Sequence, residues 1–200
     1  MKKLFLVASI MMFSLATYAQ HEVGTLTIQP KVGLNVATLT GGENADPRLG
    51  LVVGAEFEYQ ITKLFSLSAG ALYSMQGAKG DDNSTGTKVI ATMKLDYINI
   101  PILANIYVTK GLALKFGIQP SFNVSSKAKV SQGSTSISTS LSNLGYDVNS
   151  FDFSIPVGLS YEIKNVVIDG RYNIGVLKVV DGGDAKNSVF QFTVGYKFKL

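Results

Sequence analysis

The sequence predicts an all-β protein: an eight-stranded antiparallel up-and-down transmembrane β-barrel. Three observations predict it. Eight segments alternate apolar and polar residues with period two, their connections alternate between short and long, and glycine collects on the polar face of the strands.

The segments follow in order. In the first, Leu26, Ile28, Val32, Leu34 and Val36 alternate with Thr27, Gln29, Lys31, Gly33 and Asn35. The second sets Leu49, Leu51, Val53, Ala55, Phe57, Tyr59 and Ile61 against Gly50, Gly54, Glu56, Glu58 and Gln60. The third runs from Phe65 through Leu67, Ala69, Ala71 and Tyr73 to Met75. The fourth carries Ile98, Ile100, Ile102, Ala104, Ile106 and Val108, and the fifth Leu112, Leu114, Phe116, Ile118, Phe122 and Val124. Phe151 to Tyr161, Val166 to Val176 and Phe190 to Leu200 supply the last three. Each has two unlike faces, as a strand between two media requires.

Short links fall at Thr62-Lys63, Thr109-Lys110-Gly111 and Lys164-Asn165. Long polar links fall at Thr40 to Arg48, Gly77 to Thr92, Ser126 to Asn149 and Lys178 to Asn187. An up-and-down sheet places alternate links at opposite ends, so one rim bears the turns and the other the loops. Bilayer-spanning barrels show that asymmetry, with turns in the periplasm and loops outside the cell. The Ser126–Asn149 stretch is read either as a flexible loop or as strands rising above the membrane.

Alternation does not say which face is inside, and a soluble, lipocalin-like periplasmic barrel around an apolar ligand is the alternative. Glycine decides. Gly33, Gly50, Gly54, Gly70, Gly117, Gly158, Gly175 and Gly195 lie on the polar face, with Gly170 the exception. An eight-stranded interior has room for little more than its own side chains, so the crowded face is the lumen. The apolar face then meets lipid. Tyr59, Phe65, Tyr161, Tyr196 and Phe198 near the turns, and Tyr73, Phe122, Phe151, Phe153 and Phe190 near the loops, form the two expected interfacial girdles. Pro101, Pro120 and Pro156 each remove a ladder donor and predict bulges or rim positions.

The first nineteen residues read as an export signal. Lys2 and Lys3 precede an apolar run from Leu4 to Ala16, and Thr17-Tyr18-Ala19 sets small residues at a cleavage site. The expected organisation is a signal peptide over 1–19 and a barrel domain over 20–200. Losing Lys2 and Lys3 lowers the net charge from +4 to +2. That is too little and too scattered for nucleic acid.

With no cysteine in the chain, disulfides and thiolate chemistry are excluded. The single histidine, His21, lies outside every strand, which leaves no Ser–His or Asp–His pair on the wall. Gly80-Asp81-Asp82-Asn83 lacks the ligand spacing of a cation loop and reads as solvated. Lumen-facing Lys31, Glu56, Glu58, Lys115, Asp152, Glu162, Asp169, Arg171 and Lys197 predict an interior salt-bridge network plugging the barrel. Glu56 and Glu58 as an acid–base pair is the weaker reading. No catalytic, cofactor-binding or metal-binding set is assigned.

The chain resembles the PorT-like outer-membrane β-barrel family. The resemblance rests on Pro30-Lys31-Val32-Gly33-Leu34-Asn35, Tyr97-Ile98-Asn99-Ile100-Pro101-Ile102 and Val194-Gly195-Tyr196-Lys197-Phe198. Gly117-Ile118-Gln119-Pro120 and Arg171-Tyr172-Asn173-Ile174-Gly175 add to it. It implies residence in the cell outer membrane. One named member serves protein secretion, a role these motifs do not transfer. Tyr196-Lys197-Phe198-Lys199-Leu200 resembles the terminal signal read by the barrel-assembly machinery, with leucine for the usual final aromatic. The expected partners are outer-membrane lipid, that machinery, and an extracellular or secretion-related protein at the loops. The expected role is structural or interactive and non-catalytic, with a narrow channel as a further alternative.

Overall fold

Each alternating segment becomes a strand, because a closed ring gives both of its faces a place. The computed structural model describes residues 22–41, 45–82, 89–132, 135–145, 147–180 and 182–200. The predicted signal peptide, its cleavage point after Ala19, His21 and Asn83 lie outside the described residues. The strands are β1 (Leu26–Thr40), β2 (Asp46–Thr62), β3 (Phe65–Asp82), β4 (Val89–Asn99), β5 (Ile102–Tyr107) and β6 (Leu112–Gln132). They continue with β7 (Thr135–Ser140), β8 (Phe151–Ile163), β9 (Val166–Gly175), β10 (Lys186–Tyr196) and β11 (Phe198–Lys199).

The ring closes between its first and last members. Val32 of β1 faces Val53 of β2 on one side and Val194 of β10 on the other. All ladders are antiparallel, and β4 with β5, like β10 with β11, occupies one wall position. Since β7 pairs only with β6, the wall has eight positions, as predicted. Closure pairs the backbone polar groups within the sheet, the condition for crossing hydrocarbon. Both ends of the barrel domain lie at the turn rim, where the Leu200 amide donates to the Leu26 carbonyl at 3.0 Å. Gly111, at φ +93°, supplies the left-handed residue of the β5–β6 turn.

The polar face points inward. Glu56 and Arg171 are 2% and 3% exposed, whereas Val32 and Phe192 on the opposite face are both 57% exposed. The lipocalin-like alternative is thereby overturned, for it needs the apolar face around a cavity. The aromatic residues of both predicted girdles lie on the outward face. Phe122 and Phe151 meet edge to face at 5.6 Å, and Tyr172 stacks on Phe190 at 4.4 Å. Phe57, Phe116 and Phe192 are outward too, so the outer aromatics extend beyond the residues assigned to the girdles.

Seven of the eight luminal glycines meet an adjoining strand's backbone rather than a crowded side chain, while a Cβ on Gly195 would first meet the Gln29 side chain. A Cβ on Gly33 would overlap the Phe192 carbonyl oxygen, and one on Gly117 the Ile102 carbonyl oxygen. Gly50, Gly54, Gly70, Gly158 and Gly175 likewise press on the backbone of an adjoining strand. Strands coiled into so narrow a cylinder approach most closely on the concave side, which is where a Cβ cannot fit. The exception, Gly170, lies outside and opposite Phe192, whose ring stands 3.6 Å from where a Cβ would be.

The prolines depart from expectation. Pro101 sits in the gap between β4 and β5, and its carbonyl accepts from the Gly70 amide at 3.1 Å. Pro120 and Pro156 stand inside the wall with register unchanged: Pro120 opposite Phe153, Pro156 opposite Asn173. Pro156 falls where the β6–β8 ladder lapses, between Phe116–Val157 and Gln119–Ser154, and Pro120 where the other side of β6 lapses, between Ile102–Ile118 and Asn99–Ser121. The β4–β6 irregularity lies instead at Val124, skipped between Asn123 and Ser125. That bulge reverses the facing of β6 above it.

Two of the four predicted long links are largely strand. β3 continues to Asp82 and β4 begins at Val89, while β6 runs ten residues past Phe122, the last position it pairs with β8. At about 3.3 Å per residue, β6 extends roughly 33 Å beyond that point. β3, β4, β6 and β7 therefore form a platform above one side of the rim. Gly80, Asp81 and Asp82 belong to its β3 edge rather than to a loop.

Candidate functional site

The lumen and the mouth above it hold the buried polar and charged groups, stacked in zones along the axis. Near the turn rim, Lys197 lies between two carboxylates, 2.9 Å from Glu58 and 3.0 Å from Glu162. Glu58 also accepts from the Tyr107 hydroxyl and from Ser66 at 2.8 Å. The strand period delivers these groups: Glu58 and Glu162 occupy inward positions of β2 and β8, and Lys197 the break between β10 and β11.

The middle zone joins five charges. Arg171 grips Glu56 at 2.9 Å and Asp169 at 2.8 Å; Lys31 reaches Glu56 at 2.8 Å; Lys115 reaches Asp169 at 2.8 Å. Lys31 also lies 3.8 Å from Asp169, and Lys115 4.0 Å from Glu56. Three cations meet two anions here and one cation meets two below, so the zones together balance at four of each. Every member is buried. A filled, mutually neutralised cross-section opposes the passage of hydrated ions, because opening it strands charges in low dielectric.

Above lies a zone of amides and hydroxyls. Asn35 donates to Ser74 at 2.9 Å, and Asn187 donates to Asp152 at 2.8 Å and to the Tyr97 hydroxyl at 3.2 Å. Asp152 meets no cation among the described residues and is held by Asn187 and the Phe153 amide. Asn99, Asn173 and Gln191 are buried without a protein partner for either amide atom, a setting that buried water ordinarily satisfies.

The top zone is apolar. Leu95 and Tyr97, on the inward face of β4, pack with Leu141 and Val179, which arrive from the β7–β8 and β9–β10 connections. Leu39, Met93, Ala128, Val148 and Val180 pack around them. A bridge between Val148 and Val180 and the Asn149 amide's 2.9 Å bond to the Val179 carbonyl tie the two connections together. The loops thus fold inward as a lid over the polar lumen. Beside it an apolar recess of about 360 Å³ is lined by Leu39, Ala78, Met93, Ala128, Leu141 and Leu144 among others.

All nine charges expected in the lumen are there, and eight join the two ionic zones; Asp152 does not. Glu56 and Glu58 share an inward face but bind separate cations. Sequence reasoning missed Arg48 and Asp96, whose charged groups lie 4.0 Å apart, with Tyr73 donating to Asp96 at 2.9 Å. Arg48 donates to the Gln76 carbonyl from what was read as loop. It missed the lid as well, for which the signal was Leu141, Val148, Val179 and Val180 inside otherwise polar links.

Comparisons with known proteins bear on this geometry. No curated protein matches the chain. Among solved structures, Neisserial surface protein A shares 16% identity at a TM-score of 0.53, over 86% of this chain and 97% of its own. Ail, the attachment invasion locus protein of Yersinia pestis, solved with the heparin analogue sucrose octasulfate, shares 15% identity at a TM-score of 0.50, over 88% of this chain and 100% of its own. At such identities the likeness is one of fold. The family model described as "outer membrane protein beta-barrel domain" matches residues 18–181. With most of the chain so matched, the protein belongs to the outer-membrane β-barrel domain family.

Proposed function

We propose that this outer-membrane protein is a non-catalytic, electrically closed barrel that displays a rigid extracellular platform to a protein partner. The observation that carries the reading is the pairing of a plugged lumen with a raised, lidded mouth. Ile137 of β7 and Val130 of β6 are paired across the platform, 70% and 47% exposed, and Leu144 nearby is 52% exposed. Apolar side chains kept in the open beyond the bilayer mark a contact surface. Photo-crosslinking from Ile137 on intact cells tests this. Capture of one discrete protein, lost on Ile137→Lys, is the expected outcome; crosslinks to lipid alone would end the proposal.

We further read residues 1–19 as a cleaved export signal, the final strand as the part read by the barrel-assembly machinery, and the PorT-like group as the closer kinship. The Lys2-Lys3 start, the Tyr196–Leu200 ending and the motifs along the wall support these readings. N-terminal sequencing of membrane-extracted protein should begin at Gln20. Secretion by the host strain should be measured with and without the protein; an unchanged secretome removes the secretion role without touching the barrel.

A further inference from the structure

The outward face of the platform carries a cationic patch directly above the lipid-facing surface. Across β3, β4 and β6, Gly77, Lys94 and Lys127 share one row, and Lys79, Thr92 and Lys129 the next. Partners in an antiparallel ladder project to the same side. Leu95 and Tyr97 point into the lumen, so the neighbouring Lys94 and its row point out. The Val124 bulge is what sends Lys127 and Lys129 outward, since the unbroken alternation of Phe122 and Val124 would have turned them in.

Lys94 and Lys127 stand opposite each other, an arrangement that destabilises a sheet unless an anion lies over it. Among the described residues no carboxylate forms an ion pair with any of the four lysines, although Asp46 stands opposite Lys79 in the β2–β3 ladder. Asp96, a second carboxylate on this face, is engaged by Tyr73 and Arg48, which leaves Asp46 against four lysines. The patch also has a defined height. Tyr73, Ile98, Phe122 and Phe151 form an apolar row across the wall, and Lys94 lies four positions above Ile98. That is about 13 Å along the strand, the headgroup level when the apolar row meets hydrocarbon.

We propose that Lys79, Lys94, Lys127 and Lys129 bind the phosphates of the phosphorylated glycolipid of the outer leaflet, fixing one lipid against the β3–β4–β6 side of the barrel. Charge, height and continuity with the lipid-facing wall favour a lipid phosphate over a soluble polyanion, which has no reason to meet the apolar row below.

The test is native mass spectrometry of the full barrel in a neutral detergent, titrated with diphosphorylated lipid A, with the same lipid stripped of phosphate, and with a heparin fragment. Diphosphorylated lipid A should bind at least about tenfold more tightly than the stripped lipid, and the quadruple Lys→Gln variant should lose about that factor, as near-surface lysines on anionic lipid do. Lys63→Gln/Lys110→Gln/Lys164→Gln at the turn rim serves as the control and should bind like the wild type. Should the quadruple variant fail to fold, Lys94→Gln/Lys127→Gln replaces it. That double variant should also unfold no earlier than wild type in lipid-free detergent, since it removes the opposed charges. Equal binding by the platform variant, equal loss in the control, or tighter binding of heparin than of lipid A would each overturn the proposal.

Discussion

Arg171 of β9 forks onto Glu56 of β2 across the lumen, Nη1 to Oε1 at 2.9 Å and Nη2 to Oε2 at 3.3 Å, between residues 115 apart in sequence. β9 and β2 are not neighbours in the wall, for β10 and β1 stand between them. The pair therefore braces the cylinder across its interior, while Asp169, Lys31 and Lys115 complete the charge balance around it.

Breaking that brace on one side strands a buried charge. Glu56→Ala should cost about 3–5 kcal/mol, the usual penalty for orphaning buried partners, because Lys31, Lys115 and Arg171 are then left with Asp169 as the one carboxylate of their zone. The readout is the temperature at which the folded, fast-migrating gel band converts to the unfolded one. Arg171→Met with Glu56→Leu should recover part of the loss, because both charges then leave together. An unshifted conversion temperature for Glu56→Ala would mean that the brace bears no load.

The same packing predicts an electrically quiet barrel. Wild-type protein in planar bilayers should show no steady conductance. Lys31→Ser combined with Arg171→Ser and Glu56→Ser should produce discrete openings once the lid is loosened by Leu141→Ala. Steady wild-type currents would contradict the ionic plug.

Glycine substitutions should separate the two faces of the wall. Gly117→Ala pushes a Cβ into the Ile102 carbonyl, and backbone cannot swing aside as a side chain can. A loss of about 1–3 kcal/mol, typical of overpacking, should appear as a lower yield of refolded barrel. Gly170→Ala meets only the Phe192 ring at ordinary contact distance and should refold like wild type. Similar yields for both variants would undo the concave-side argument.

The lid should open without the barrel. Leu141→Ala removes a buried anchor worth about 2–5 kcal/mol and leaves every wall ladder intact. Proteolysis of intact cells should then cut between Ser140 and Ser150 faster than in wild type, while the gel conversion temperature stays put. Unchanged cleavage would show that the loops are held by something other than the apolar cluster.

Much of this was legible in residue order, because a strand between lipid and lumen must alternate. Parity puts Lys31, Glu56, Lys115, Asp169 and Arg171 on the polar face, and the glycines of that face turn it inward. Parity fails at Val124, where one skipped residue turns Lys127 and Lys129 outward and Ala128 toward the lid. A bulge follows from backbone geometry shared between two strands, and neither strand alone encodes it visibly. The glycines were placed on the right face from sequence, but the contact that excludes a Cβ belongs to the adjoining strand's carbonyls.

The sequence by itself determined the architecture: eight amphipathic strands, turns at one rim, a polar interior and an apolar exterior. Those properties repeat locally, every second residue, and need no knowledge of partners. Only the tertiary structure decided which charges meet, that β3, β4 and β6 rise into a platform, and that Leu141 and Val179 reach Leu95 and Tyr97 as a lid. These contacts join residues far apart in the chain, and the curvature of the closed ring, rather than any local pattern, brings them within reach.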